Sequence, residues 1–161
     1  MAITTTVTDN FASPYADGVS IGDLVTLGNE FVQSSTREIK VALFTSTATL
    51  GATTTTYSST NEVSGQGYTA GGLQFSSDPT VTINGGSNSD IHIVDFPDAV
   101  WTNATFTARG ALIYQLFPTT GNPSESVAVF DFGGNFVVTN GTFTIVWPPA
   151  TLQRAAIRII G

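Results

Sequence analysis

From Ile39 onward the chain is a succession of short apolar runs, each closed by glycine, proline or asparagine, and that punctuation restricts the folds open to it. Lys40-Val41-Ala42-Leu43-Phe44-Thr45 is apolar and bounded by small polar residues. Thr80-Val81-Thr82-Ile83 alternates and ends in Asn84-Gly85-Gly86, a strong turn signal. Ile91-His92-Ile93-Val94-Asp95-Phe96 stops at Pro97. A β-rich run over residues 105–116 is closed by Pro118 and Gly121. Val127-Ala128-Val129-Phe130-Asp131-Phe132 is expected to end at Gly133-Gly134, and Thr142-Phe143-Thr144-Ile145-Val146-Trp147 to follow an Asn140-Gly141 turn. Ala156-Ile157-Arg158-Ile159-Ile160 forms a last strand. No amphipathic helix separates these runs, so the crossovers that parallel strands need are missing. The pattern predicts an all-β domain over residues 37–161, either a single antiparallel sandwich (jelly-roll-like) or a barrel.

Residues 1–36 read differently. Pro14, Gly18, Gly22 and Gly28 interrupt any long helix, while Ile21, Leu24, Val25, Leu27 and Phe31 fit one short helical face. The segment is expected to be either a short helical piece or an extended arm lying on a neighbouring subunit. Residues 53–72 form a second irregular stretch. Four successive threonines, Thr53 to Thr56, suggest an exposed loop or edge, and Ser59-Thr60-Asn61-Glu62 matches a capping box that would start one helical turn. Gly65, Gly67, Gly71 and Gly72 supply the positive φ angles that such a loop needs.

Charge limits the partners. Only 11% of the 161 residues are charged, against about 25% in an ordinary soluble protein. Thr, Ser, Asn and Gly carry the polarity instead, and their neutral groups cost less to desolvate than ions do. Five basic residues against 12 acidic ones give a net charge of −7. Arg37, Lys40, Arg109, Arg154 and Arg158 are scattered, which argues against nucleic acid as a partner and against a polybasic membrane anchor. Hydrophobic residues at 41% are enough for a packed core. The absence of cysteine removes disulfides, thiolate metal sites and thiol nucleophiles. The N-terminus lacks the basic and apolar regions of a signal peptide, and no apolar run has the roughly 20 residues of a membrane helix. The chain is therefore expected to remain in the cytoplasm in which it is made.

Candidate chemistry is sparse. His92, the single histidine, lies mid-strand with no G-x-S-x-G elbow to accompany it, and an ordinary strand position is the better account. Asp90, Asp95, Asp98 and Asp131 are the carboxylates that would have to pair as a glycosidase acid and nucleophile. Asp98, beside Pro97, and Asp131, before Gly133-Gly134, read instead as turn residues that bond their own backbone. The stretch Asn84-Gly85-Gly86-Ser87-Asn88-Ser89-Asp90 lacks the leading Asp and the terminal Glu of a calcium loop. Gly65-Gln66-Gly67 does not open a helix, so it is no nucleotide fingerprint. Asn103-Ala104-Thr105 and Asn140-Gly141-Thr142 match the glycosylation sequon by chance in a Thr-rich chain. Trp147 is expected in the core or at its rim. Trp101 is expected between strands, plugging one end of the domain or facing a partner. Tyr57, Tyr68 and Phe75 flank the loop, where packing is a commoner use than stacking on sugars. The chain is expected to be no enzyme and to hold no cofactor or metal.

Several phrases, in order, carry a resemblance. They are Val41-Ala42-Leu43-Phe44-Thr45-Ser46-Thr47-Ala48-Thr49-Leu50, then Thr60-Asn61-Glu62-Val63-Ser64-Gly65-Gln66-Gly67-Tyr68-Thr69-Ala70-Gly71-Gly72, then Val94-Asp95-Phe96 with Trp101-Thr102-Asn103-Ala104. Thr107-Ala108-Arg109-Gly110-Ala111-Leu112-Ile113-Tyr114, Val127-Ala128-Val129-Phe130-Asp131-Phe132-Gly133 and the apolar C-terminal strand complete the set. Over residues 39–160 the chain resembles a family of small structural proteins of tailed-bacteriophage virions, and the Asn-Glu-Val-Ser-Gly block is the most specific part. Residues 1–36 depart from the family's pattern. The resemblance implies a virion component, and the preferred role is a decoration (cement) protein on the capsid exterior. It would be a homotrimer clamping neighbouring copies of the major capsid protein. The alternatives are a tail, baseplate or fibre component contacting other tail proteins, or a carbohydrate-binding or depolymerising domain at a tail tip. A fibre would show repeats, and none is visible. Candidate contact residues are Phe11, Tyr15 and Leu24 in the N-terminal segment, Tyr57 and Tyr68 beside the loop, Trp101, and Arg109. Arg109 would pair with a carboxylate either on the partner or within the domain.

Overall fold

The computed structural model describes residues 2–8, 33–84, 91–118, 124–151 and 153–160. The strands are β1 (Thr6–Val7), β2 (Glu38–Phe44), β3 (Leu73–Gln74), β4 (Thr80–Asn84), β5 (Ile91–Asp95), β6 (Ala99–Leu116), β7 (Glu125–Ile145) and β8 (Ile157–Ile160). No helix occurs among the described residues, and the fold is all-β, as the punctuated runs predict. One sheet has the order β1-β7-β6-β2-β3 and the other β4-β5-β8, and every strand ladder is antiparallel.

The two sheets share one core. Val41, Leu43 and Ile113 of the larger sheet belong to the same buried cluster as Val94 and Ile157 of the smaller one. Alternation along β2 sends Ile39, Val41 and Leu43 into this cluster and Ala42 and Phe44 to the other face. There a second cluster forms with Leu112, Tyr114, Val129 and Ile3. Both faces of β2 are thus buried, which is why it reads as a continuous apolar run. Trp147 closes one end of the core, packed on Phe96 and Phe130 at 5.6 and 5.0 Å between ring centroids. Its indole N–H donates to the Pro97 carbonyl at 3.0 Å, so the buried ring leaves no orphan donor.

Three features differ from the sequence reading. Gly133-Gly134 and Asn140-Gly141 do not end strands; both lie inside β7, which continues because β6 offers it a partner along its whole length. The turn-forming residues appear instead as irregularities in that ladder. Ala108 faces Phe136 and Gly110 faces Asp131, so residues 132–135 bulge out opposite Arg109 alone, with Gly133 at φ +78°. Trp101 lies within β6 rather than between strands, and it is buried. The first described residues do not stand apart as an arm: β1 pairs with β7 through Thr6–Val129 and Val7–Ala128, and Ile3 is in the core. Thr8 is fully buried, and its hydroxyl donates to the Ser126 carbonyl at 2.9 Å. The Ile21–Phe31 face, Phe11, Tyr15 and Leu24 lie outside the described residues.

Candidate functional site

The sheet has two margins, and the chain treats them differently. At one margin β3 pairs with β2 only at Lys40 and Val41, which leaves the rest of the β2 edge to be covered by residues 61–68. Val63 N–H donates to the Leu43 carbonyl at 2.9 Å, and Thr45 N–H to the Asn61 carbonyl at 3.0 Å. Between them, Leu43 N–H donates to the phenolic oxygen of Tyr68 at 2.9 Å. A side chain thus stands in for a missing strand.

Glu62 is the hub of this covering. Its carboxylate accepts from Tyr57 and Tyr68, both at 2.6 Å, and from Gly71 N–H at 2.8 Å. The Gly71 carbonyl in turn accepts from Tyr114 of β6 at 2.6 Å, and the Tyr57 ring stacks on that of Tyr114 at 4.5 Å and 13°. Short charge-assisted bonds of this kind are roughly twice as strong as neutral ones. All three phenols are pushed well above the ordinary tyrosine range, first by burial; for Tyr57 and Tyr68 the bond to Glu62 is the next cause, and for Tyr114 the charge of its neighbours. The capping box expected at Ser59 is not made. Glu62 N–H donates to the Ser59 carbonyl in a simple turn, with Asn61 at φ +62°, and the carboxylate is spent on the tyrosines. Gly72, at φ +69°, lies so close to the Val41 carbonyl that a Cβ would collide with it.

The hub holds a hydroxyl-rich surface. A groove of about 490 Å³ runs along residues 49–61, lined by Thr49, Thr53, Thr54, Thr55 and Thr56 with Leu50 and Asn61. No ionisable side chain lines it. Its floor is tied to β7, since Ser126 N–H donates to the Thr55 carbonyl and the Ser126 hydroxyl to that of Thr54.

The opposite margin is β7. Beyond the two pairs with β1, no strand among the described residues lies along the outer edge of residues 131–145. At the bulge, Arg109 grips Asp131 with two parallel bonds, Nε to Oδ1 at 2.8 Å and Nη2 to Oδ2 at 3.0 Å. Asp131 also accepts from Gly133 N–H at 2.9 Å. The guanidinium first, and this backbone bond second, hold the Asp131 carboxyl below its usual range. Past the bulge the edge is apolar and exposed: Phe136 is 52% exposed, Val137 72% and Val146 71%. Phe132, Phe136, Phe143 and Val146 line an open groove of about 280 Å³. A ladder of rings joins this groove to the hub, from Tyr68 to Trp101 (6.3 Å), Trp101 to Phe143 (5.9 Å), Phe143 to Phe132 (6.2 Å) and Phe132 to Phe136 (6.0 Å).

Of the residues singled out from sequence, Tyr57 and Tyr68 meet at Glu62, while Trp101 is core and sits behind them. Arg109 takes the within-domain alternative and pairs with Asp131. Asp98 is exposed in the β5–β6 connection, Asp131 is engaged with Arg109, and Asp90 and the His92 side chain lie outside the description. Among the described residues, no three His, Cys, Asp or Glu side chains gather where they could hold a metal. Sequence reasoning missed Glu62 as a hub, Tyr114 as its relay, and the exposed Phe136, Val137 and Val146. A signal for the last three was present: no residue from 132 to 153 carries a charge. Comparison with protein-family models, curated proteins and solved structures found no match for this chain.

Proposed function

We propose that the chain is a structural protein of a tailed-phage virion, a decoration protein that sits on the capsid exterior and clamps neighbouring copies of the major capsid protein. The observation that carries this reading is the neutral hydroxyl-lined groove along residues 49–61, held in place by the Glu62 hub. The most specific block of the family resemblance, residues 60–72, is the segment that builds the hub. A docking face of threonines gives up little hydration on contact, and a braced one loses little conformational freedom. A partner that binds only the assembled lattice stabilises it by mass action, and repetition over a symmetric shell multiplies weak contacts. No catalytic group is needed for that work. A glycan-reading tail-tip domain would need free aromatic faces. The rings at this margin are engaged internally, Tyr57 on Tyr114 and Tyr68 beside Trp101, which favours a protein partner over a sugar.

Expanded capsid shells lacking the protein, mixed with an excess of it and imaged by cryo-electron microscopy, test the reading. Ordered density at lattice symmetry axes, with residues 49–61 against the capsid protein, is the expected result. Thr54→Glu and Thr56→Glu, which place charge in the groove, should lower occupancy. Bare shells at saturating protein would end the capsid reading and direct the search to isolated tails.

A further inference from the structure

We propose that the outer edge of β7, over residues 136–145, is a self-association seam at which two copies of this chain pair antiparallel about a two-fold axis. Three observations meet there. The first is backbone: this edge has no strand partner among the described residues, whereas the β2 margin is closed by β3, by Val63 and by the Tyr68 hydroxyl. An open edge presents a row of N–H and C=O groups ready to pair with another strand, and natural domains usually blunt it with charge, proline or a covering loop. Here none of the three lies within residues 132–147; the first proline is Pro148 and the first charge Arg154. The second is side-chain exposure on both faces of the edge, with Phe136 and Val146 beside the open groove and Val137 72% exposed. The third is charge, and it selects the occupant. The chain carries −7 overall, so two copies repel across most of their surfaces, yet residues 132–153 bring no charge to the contact. The one ion pair nearby, Arg109–Asp131, is internally neutralised.

Antiparallel pairing of a strand with its own copy is self-complementary by symmetry, because each residue that donates on one copy accepts on the other. Residues 136–145 extend about 34 Å at about 3.4 Å per residue. With side chains above and below, such a seam covers about 500 Å² on each copy, about 1,000 Å² in total, which is where specific interfaces begin. The seam yields an even number of copies, in place of the trimer that the family resemblance implies, and it leaves the residue 49–61 groove of each copy free for another partner.

Sedimentation equilibrium of the full chain over a concentration series, without any capsid present, tests the seam separately from the capsid reading. Dimers are expected. Val137→Lys and Val146→Lys, both at exposed positions, should each raise the dimer dissociation constant about tenfold or more while leaving the circular dichroism unchanged, since each sets like charges across the two-fold. Thr54→Lys, in the hydroxyl groove, should leave the dimer intact. Hydrogen exchange provides a second readout: amides within residues 136–145 should gain protection as the dimer forms. A chain that stays monomeric, an odd-numbered assembly, a dimer that survives both lysines, or one broken by Thr54→Lys would each overturn the proposal.

Discussion

The two margins of the five-stranded sheet solve the same problem in opposite ways. Along β2 the unpaired backbone is met by Val63, by Asn61 and by the Tyr68 hydroxyl, and the covering segment is fixed to β6 through Glu62, Gly71 and Tyr114. Along β7 the edge past the bulge is left bare and apolar. The difference teaches where each margin keeps its stability. At β2, polar groups are buried and mutually dependent, so losing one strands several. At β7, side chains face solvent and the single chain does not depend on them.

Substitutions can break or sharpen that contrast. Gly72→Ala should have the largest effect, because it forces a side chain into both a left-handed backbone and the Val41 carbonyl; a loss of about 3–5 kcal/mol in urea-unfolding free energy is expected. Glu62→Ala comes next. It leaves Tyr57, Tyr68 and Gly71 N–H without their acceptor, and about 2–4 kcal/mol should be lost. Glu62→Gln keeps one acceptor oxygen and should recover part of that loss.

High pH probes the same hub without mutation. The folded state holds Tyr57, Tyr68 and Tyr114 protonated above the ordinary phenol value of about 10. Their contribution is therefore fully present below about pH 10 and is lost as pH rises beyond it, because the unfolded chain gives up these protons first. Thermal melts in alkaline buffers should show a falling midpoint, and Tyr68→Phe should make that fall shallower. The smallest effect is expected at the other margin: Val137→Lys should change the stability of the single chain by less than about 0.5 kcal/mol in dilute solution. If Val137→Lys proved as costly as Glu62→Ala, the contrast between a braced and a bare margin would be wrong.

Much of the fold was legible because strand runs are local signals. β2, β4, β5 and β8 each fall on an apolar run that the sequence punctuates, and Gly65, Gly67, Gly71 and Gly72 do adopt positive φ. The misreadings have a common cause, which is that a distant partner overrode a local signal. Gly133-Gly134 and Asn140-Gly141 carry turn chemistry, but β6 holds both within one ladder and turns them into irregularities. Ser59 and Glu62 have capping-box spacing, but Tyr68 and the Tyr57–Tyr114 stack claim the carboxylate, and Tyr114 is too far along the chain for a local motif to include it. Arg109 and Asp131 were visible as a rare cation and a turn acid. Their pairing followed only once Ala108 and Gly110 were set against Phe136 and Asp131.

The short strand β1 has a consequence in time as well as in space. Thr5 bonds Asp131 and Thr8 bonds Ser126, contacts that span 126 and 118 residues of sequence. At about 5–20 residues per second, a ribosome separates the two ends of these contacts by roughly 6–25 s. Residues 2–8 are among the first made, yet they cannot reach their place until β7 has emerged. Such non-local closure belongs to the slow regime of folding, milliseconds to seconds for a chain already complete. We expect β1 to dock late, on a sheet already held together by the β6–β7 hairpin, so a nascent chain halted before residue 125 should leave Ile3 exposed to added protease.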